Sequence, residues 1–469
     1  MSEPAARRLA GFAREASVRP LPDAVLEQVA THVLDTLGVC AAAALQDFAP
    51  AVRSVASGLG GPPEATAIGA RVRLPAPNAA LSNGTLAHGL DFDDTHLAAI
   101  VHPSCTVVPA ALAVGEETRA DGAAVLRAVA VGVETAVRIG LAAKGGFHDR
   151  GFHPTPICGT FGAALAAGVL YGLEEEPLVW GLGLGASLSS GLLEFLTDGT
   201  SAKRLHGGWA GHAGILAARL ARAGLTGPAG GIDGRFGILR SFLGAAADPG
   251  YLTKGLGDRW ELLDVALKPY PCCHYLHAFL DAAVDVRAAL GLAAGEAMPD
   301  DLAARIARIE GWIAPREIPV VCEPIASKQR PQTPYDAQFS LPFSVAIMLR
   351  RGAVTLADYS SASIADPSLL SLAARVAHHP DEAADFPRRF PGRLRVALRD
   401  GRVLEAVRSD NRGGPSAPLG REEVDAKFRA NATPLLGERA AAAAIAWLRE
   451  RRAGPIAALV EPFAGRAET

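Results

Sequence analysis

A chain of 469 residues exceeds what one ordinary core organises and calls for two domains, or one large domain carrying an insertion. Its composition, 49% apolar and only 6% aromatic with abundant Ala and Gly, suits tightly packed helices better than a β-sandwich. A net charge of −3, with no run of Lys and Arg interleaved with aromatics, excludes an electrostatic partnership with nucleic acid.

The opening segment, Met1 to Arg8, has no basic region followed by an apolar stretch and a small-residue cleavage site. No signal peptide is expected, and a cytoplasmic location follows by default. The first helix with a clear period starts at Pro22-Asp23, where Val25, Leu26, Val29, Val33, Leu34 and Leu37 recur at three- and four-residue steps. Ala65 to Leu74 reads as a short extended excursion, after which Pro75 and Pro77 open the helix carrying His88. His102-Pro103-Ser104 starts another helix towards Glu117, and Asp121-Gly122 introduces one through Val125, Val129, Val133 and Val137.

Further apolar helices are expected over Thr155 to Leu173, Leu178 to Leu193 and Gly211 to Leu225. Two uncharged stretches, Phe152 to Leu173 and Pro177 to Leu193, approach membrane-spanning length. His153, Pro154 and Pro156 in the first, and the glycines and serines in the second, favour buried central helices instead.

After Lys268 the character changes. A helix is expected from about Tyr275 to Leu290, then a weakly alternating strand over Arg305 to Trp312. Arg393 to Val407 alternates more cleanly about Asp400-Gly401, a strong hairpin signal. From Glu422 the chain is helical again, with Leu435 to Arg451 built almost wholly of helix formers. The predicted fold is mainly α: a large all-helical domain from both chain ends, 1–267 and 416–469, plus a smaller α+β domain at 268–415.

The six cysteines (Cys40, Cys105, Cys158, Cys272, Cys273, Cys322) form no Cys-x-x-Cys pair, so neither a zinc site nor a disulfide framework is expected. Cys272-Cys273 reads as packing rather than reactivity. No nucleophile elbow or P-loop is present, and Gly181-Leu-Gly183-Leu-Gly185 lacks the spacing and strand context of a dinucleotide site. Cofactor-free acid/base chemistry remains.

The densest packet of ionisable residues runs from Asn83 to Ser104 and holds His88, Asp91, Asp93, Asp94, His96 and His102. Such a set can transfer protons, hold a divalent metal or cap helices. Asp91-Phe92-Asp93-Asp94 resembles the acidic motif of class II terpene cyclases, but the repeated Gln-Trp elements and large aromatic set of those enzymes are missing. His96 and His102 also lack the i, i+4 spacing of a helical zinc pair, so no metal is expected. Nine of the twelve histidines fall between His88 and His277, several beside turn-makers, as in Phe152-His153-Pro154 and Leu205-His206-Gly207. Lys203-Arg204, amid Gly, Ser and Thr, reads either as solvated loop charge or as a holder for a carboxylate or phosphate.

Taken in order, Ala87-His88, Asp91-Phe92-Asp93-Asp94-Thr95, His102-Pro103-Ser104, Gly151-Phe152-His153-Pro154-Thr155, Gly199 to His206, Lys268 to His274 with His277, and Asp336 to Pro342 resemble the MmgE/PrpD family. That family includes 2-methylcitrate dehydratase, cis-aconitate decarboxylase and iminodisuccinate epimerase. The resemblance implies a helical domain with an α+β lid, a homodimer, no metal or organic cofactor, and a substrate site between the domains. It assigns to that site Asp91, Thr95, His102, His153, Lys203, Lys268, and either His274 or His277.

The shared chemistry explains these residue types, because each reaction makes or breaks a bond next to a carboxylate of a small polycarboxylate. Lys203 and Lys268 suit the negative charge, with Arg204 beside them, His102 and His153 suit proton transfer, Asp91 suits orienting a histidine, and Thr95 suits a hydrogen bond to substrate. Asp93, Asp94 and His88 are expected mainly to cap and brace helix ends. Dehydration of a 2-methylcitrate-like hydroxy acid is the first expectation. Decarboxylation of a cis-aconitate-like acid, epimerisation of an imino or amino dicarboxylate, and a non-catalytic organic-acid binder are the alternatives. The segment between Thr95 and His102 reads as one residue longer than in decarboxylase-like members, which allows an apolar loop lining the pocket.

Overall fold

Proline sets the start of several helices: Pro22 precedes Asp23–Ala43, Pro75 precedes Ala76–His88, and Pro103 precedes Ser104–Thr118. Its fixed φ and missing N–H suit a position where no intrahelical donor is needed. The computed structural model describes residues 3–451 and 454–465. Residues 1–2, 452–453 and 466–469, which include both tips of the expected helical domain, lie outside the described residues. The fold is mainly α, and the chain divides into one unit of Met1–Phe195, Thr200–Leu267 and Gly420–Thr469 and a second of Leu196–Gly199 and Lys268–Leu419.

In the first unit Ala76–His88, Ser104–Thr118, Gly122–Ala143, Pro154–Leu170 and Ala202–Arg222 form the centre, the first four buried almost all round. This burial accounts for the uncharged stretch Phe152 to Leu173, whereas the second, Pro177 to Leu193, falls on the half-buried helix Glu175–Leu188 and partly exposed chain after it instead of the expected buried central helix. No helix among the described residues is long and apolar enough to cross a membrane. The unit is not wholly helical, since Ala65–Thr66 pairs with Arg73–Leu74 and Thr95–His96 with Val265–Ala266 as short antiparallel ribbons.

Helix limits differ from expectation where glycine intervenes. The helix expected from Gly211 starts at Ala202, so Lys203, Arg204 and His206 lie in its first turns rather than in a loop. Gly207 and Gly208 weaken a helix by about 1 kcal/mol each. Here they permit a close crossing with Ala76–His88: a Cβ on Gly84 would stand 2.7 Å from the Gly208 Cα, and one on Gly208 2.0 Å from the Leu81 carbonyl oxygen. Near the C-terminus Gly437, at φ 78°, separates Arg421–Leu436 from Glu438–Ala446, dividing the expected continuous helix.

The second unit is built on a four-stranded sheet in the order Val376–Pro380, Ile306–Ile313, Gly392–Leu398, Val403–Arg408, with the first pair parallel and the others antiparallel. The hairpin turns at Asp400-Gly401, with Gly401 at φ 89°. A register shift between Ile306 and Arg308 explains why the first half of that strand alternates poorly in sequence. His277–Ala289 packs on the sheet through Phe279, whose ring lies 3.1 Å from where a Gly392 Cβ would stand.

Candidate active site

Two of the expected site histidines stand immediately before a proline at a helix entrance, His102 before Pro103 and His153 before Pro154. Proline disfavours the α conformation in its predecessor, and His153 is extended (φ −81°, ψ 113°). The two entrances meet, for the His102 N–H donates to the Thr155 hydroxyl at 3.1 Å. Their imidazole centroids are 6.3 Å apart.

His102 Nδ1 lies 2.7 Å from the Asp94 carbonyl oxygen and 3.0 Å from Thr95 Oγ1. A carbonyl only accepts, so Nδ1 carries a proton. Thr95 therefore touches the histidine. Asp91 adopts a left-handed backbone (φ 50°), a conformation that aspartate tolerates better than most residues and that is strained at many functional sites. Its Oδ1 accepts from Lys203 Nζ in a buried ion pair. Arg204, the next residue, instead lays its guanidinium over the Phe48 ring, 4.3 Å from the centroid.

His88, expected to brace a helix end, lies against both site histidines. Its ring is 5.2 Å from His102 and stacks on His153 at 5.4 Å with planes 15° apart. His88 is fully buried, with Nδ1 2.7 Å from Asp93 Oδ2. Asp94 does brace a helix, accepting the Ser104 N–H at 3.2 Å, while its other oxygen lies 2.7 Å from His32 Nδ1. Behind Phe92, Lys427 donates to the backbone carbonyl at 3.0 Å and pairs with Asp35 at 2.7 Å, so the C-terminal segment supports the packet.

His206 was no part of the expected site, although its Leu-His-Gly-Gly context marked it. Its Nδ1 lies 2.8 Å from His153 Nδ1. Burial holds the His153 imidazole well below the usual histidine range, with the neighbouring His206, His88, Lys203 and His102 adding to the shift. Burial, then His88 and Lys203, lowers His206 to about 3.

In the segment after Thr95, Ala99 and Val101 pack on Gly140, where a Cβ would meet them at 2.8 and 2.6 Å. His96 is buried and lowered to about 4, chiefly by burial and then by Arg259; its Nδ1 accepts the Ala99 N–H at 3.1 Å. Among the described residues, two groups bring potential metal-ligand atoms within 4.8 Å: His88, Asp93 and Cys105, and His96, Glu261 and Asp264. Both are already engaged. In the first, His88 bonds Asp93 and the Cys105 thiol donates to the His102 carbonyl. In the second, Arg259 pairs both carboxylates at 3.0 and 2.9 Å, and the acceptor role of Nδ1 puts the proton of neutral His96 on Nε2.

The remaining expected residues belong to the second unit. Lys268 is wholly buried there, as are His274 and His277, whose centroids lie 4.4 Å apart. His277 Nε2 is 3.3 Å from the Cys272 carbonyl, and its ring meets Tyr270 edge-on at 5.3 Å. Gln338 clamps the Pro-Cys-Cys turn, donating from Nε2 to the Pro271 carbonyl at 2.7 Å and accepting the Cys273 N–H at 2.9 Å. Lys328, overlooked in sequence, is buried 3.7 Å from Asp336, and its pKa is lowered first by desolvation.

Residues 7–249 match the model of the MmgE/PrpD N-terminal domain, and residues 270–450 that of the MmgE/PrpD C-terminal domain. The chain belongs to the MmgE/PrpD family. Among curated members of that family, it is 30% identical over 374 residues to cis-aconitate decarboxylase of Homo sapiens, spanning 78% of this chain and 74% of that protein. The Mus musculus protein of the same name is 29% identical over 373 residues, 78% of this chain and 73% of its own length. That of Aspergillus terreus is 24% identical over 433 residues, covering 87% of this chain and 85% of the relative.

Proposed function

We propose that the protein is a cofactor-independent lyase acting by acid/base chemistry on a small polycarboxylate, and that its reaction is decarboxylation of a cis-aconitate-like acid. The relatives named for that reaction support decarboxylation over the dehydration first expected from sequence. The observation that carries the reading is the group formed by buried Lys203 and His153 and half-buried His102, with His88 beside both histidines.

Lys203, oriented by Asp91, supplies positive charge for a substrate carboxylate. Burial strips water from the carboxylate that leaves. Breaking its C–C bond releases carbon dioxide and puts the electron pair on carbon conjugated to a remaining carboxylate, where the lysine charge stabilises it. A proton from His153 then forms the new C–H bond. In the free protein burial favours the neutral imidazole, and its ring N–H is the proton that is given.

Dehydration of a 2-methylcitrate-like acid is the second reading, favoured by the 6.3 Å between His102 and His153, which lets one act as base and the other as acid. The test is NMR of cis-aconitate, 2-methylcitrate and related polycarboxylates incubated with the protein in deuterated water. Decarboxylation is expected to yield product with one carbon-bound deuterium; water loss favours the second reading, and deuterium exchange without either overturns both. Turnover is expected to survive chelation and to fail in Lys203→Ala and His153→Ala. Wild-type rates in both variants refute the site.

A further inference from the structure

We propose that His206 is a positioning residue through which His153 exchanges its proton with solvent, by a hydrogen bond between their Nδ1 atoms. The inference rests on the reading of His153 as the acid. A 2.8 Å contact between two imidazole nitrogens needs a proton on one and a lone pair on the other. The two rings therefore hold opposite tautomers: when Nδ1 of His206 donates, His153 carries its proton on Nε2.

The pair has an inner and an outer member. His153 is 4% exposed, whereas His206 is only partly covered. Phe195 meets both rings edge-on, at 5.9 and 6.0 Å, and holds them as a unit. Gly207 lets the helix backbone approach His88, with 3.0 Å from a hypothetical Cβ to the His88 Cβ, which sets His206 at this depth. The charged or titratable groups acting on the pair are His88, His102 and Lys203, and they favour neutral rings along with burial. The pair thus shares a single proton at its centre.

The transfer balances. When His153 Nε2 releases its proton to the substrate carbon, the shared proton moves from Nδ1 of His206 to Nδ1 of His153, and His206 takes one at Nε2 from a water, leaving in solvent a hydroxide that carries the charge the carbanion has lost. Each ring breaks one N–H bond and forms another, and neither ends charged. After product leaves, water reaching His153 reprotonates Nε2 and the sequence runs backwards to solvent. Substrate proton abstraction would use the same path in reverse, so the relay serves either direction of proton movement.

Two arms test this. In protein labelled with ¹⁵N-histidine, a ¹⁵N–¹⁵N coupling across the hydrogen bond is expected between His153 and His206, and its absence overturns the proposal whatever the substrate. In turnover, folded His206→Ala is expected to lose roughly 10²-fold in kcat with KM little changed. Added imidazole is expected to restore much of that loss, as it supplies the missing ring, while His206→Asn stays slow. Wild-type kcat in either variant, or a slow His206→Ala that imidazole leaves slow, overturns the relay. A coupling present in a protein that turns over no polycarboxylate supports the hydrogen-bonded pair and refutes the functional reading instead.

Discussion

Asp91 and Lys203, 112 positions apart in sequence, form a buried ion pair beside the histidine cluster. The close crossing of Ala76–His88 with Ala202–Arg222 supports that approach, because Gly84, Gly207 and Gly208 leave no side chains between the backbones. One geometric feature thus links packing to charge placement.

Removing one member of such a pair leaves the other charge buried, at a cost of roughly 3–5 kcal/mol. Lys203→Met is therefore expected to lower unfolding stability by about that amount, and the double variant with Asp91→Asn to regain part of it. Urea denaturation of the four proteins measures the cycle. Simple additivity of the two losses would show that the carboxylate and ammonium do not depend on each other.

Gly208→Ala places a methyl group 2.0 Å from the Leu81 carbonyl oxygen and 2.4 Å from Thr85 Oγ1. Backbone cannot yield as a flexible side chain can, so a loss of about 3 kcal/mol is expected, together with impaired activity as Lys203 and His206 shift. Thermal melting and turnover assays read both effects. A fully stable and active variant would mean that the crossing has slack.

Thr95→Val removes the hydroxyl that lies 3.0 Å from His102 Nδ1 but leaves the Asp94 carbonyl to hold the tautomer. The hydrogen bond contributes about 1 kcal/mol, so kcat/KM is expected to fall by several-fold rather than vanish. Steady-state kinetics decides this, and an unchanged value places Thr95 outside the reacting centre.

His96 gives the fold a dependence on acid. Its folded pKa of about 4 lies below the unfolded value near 6.5, so the unfolded chain binds the extra proton first as pH falls. Stability from this group is full above about pH 6.5, declines towards pH 4 by roughly 3 kcal/mol, and then levels off. His96→Asn, which keeps an acceptor for the Ala99 N–H, is expected to flatten that part of the profile in urea midpoints measured across pH. An equal slope in wild type and variant would assign the acid sensitivity elsewhere.

Much of the architecture was legible locally. Proline and aspartate marked helix starts, an uncharged run announced the buried Pro154–Leu170 helix, and Asp400-Gly401 between alternating residues marked the hairpin. The start of Ala202–Arg222 was not legible, since glycine and serine read locally as loop. Only the facing helix shows why Gly207 and Gly208 belong inside one.

The sequence by itself determined the class of chemistry: imidazoles beside prolines at helix entrances, carboxylates beside them, and lysines in separate motifs, all in a chain whose ordered blocks mark its family. Tertiary structure decided the pairings. Asp93 meets His88, Arg204 stacks on Phe48, and His206 meets His153. Such assignments depend on hydrogen-bond distance and on the dielectric around each group, and both are set by helices that meet only once the chain has folded.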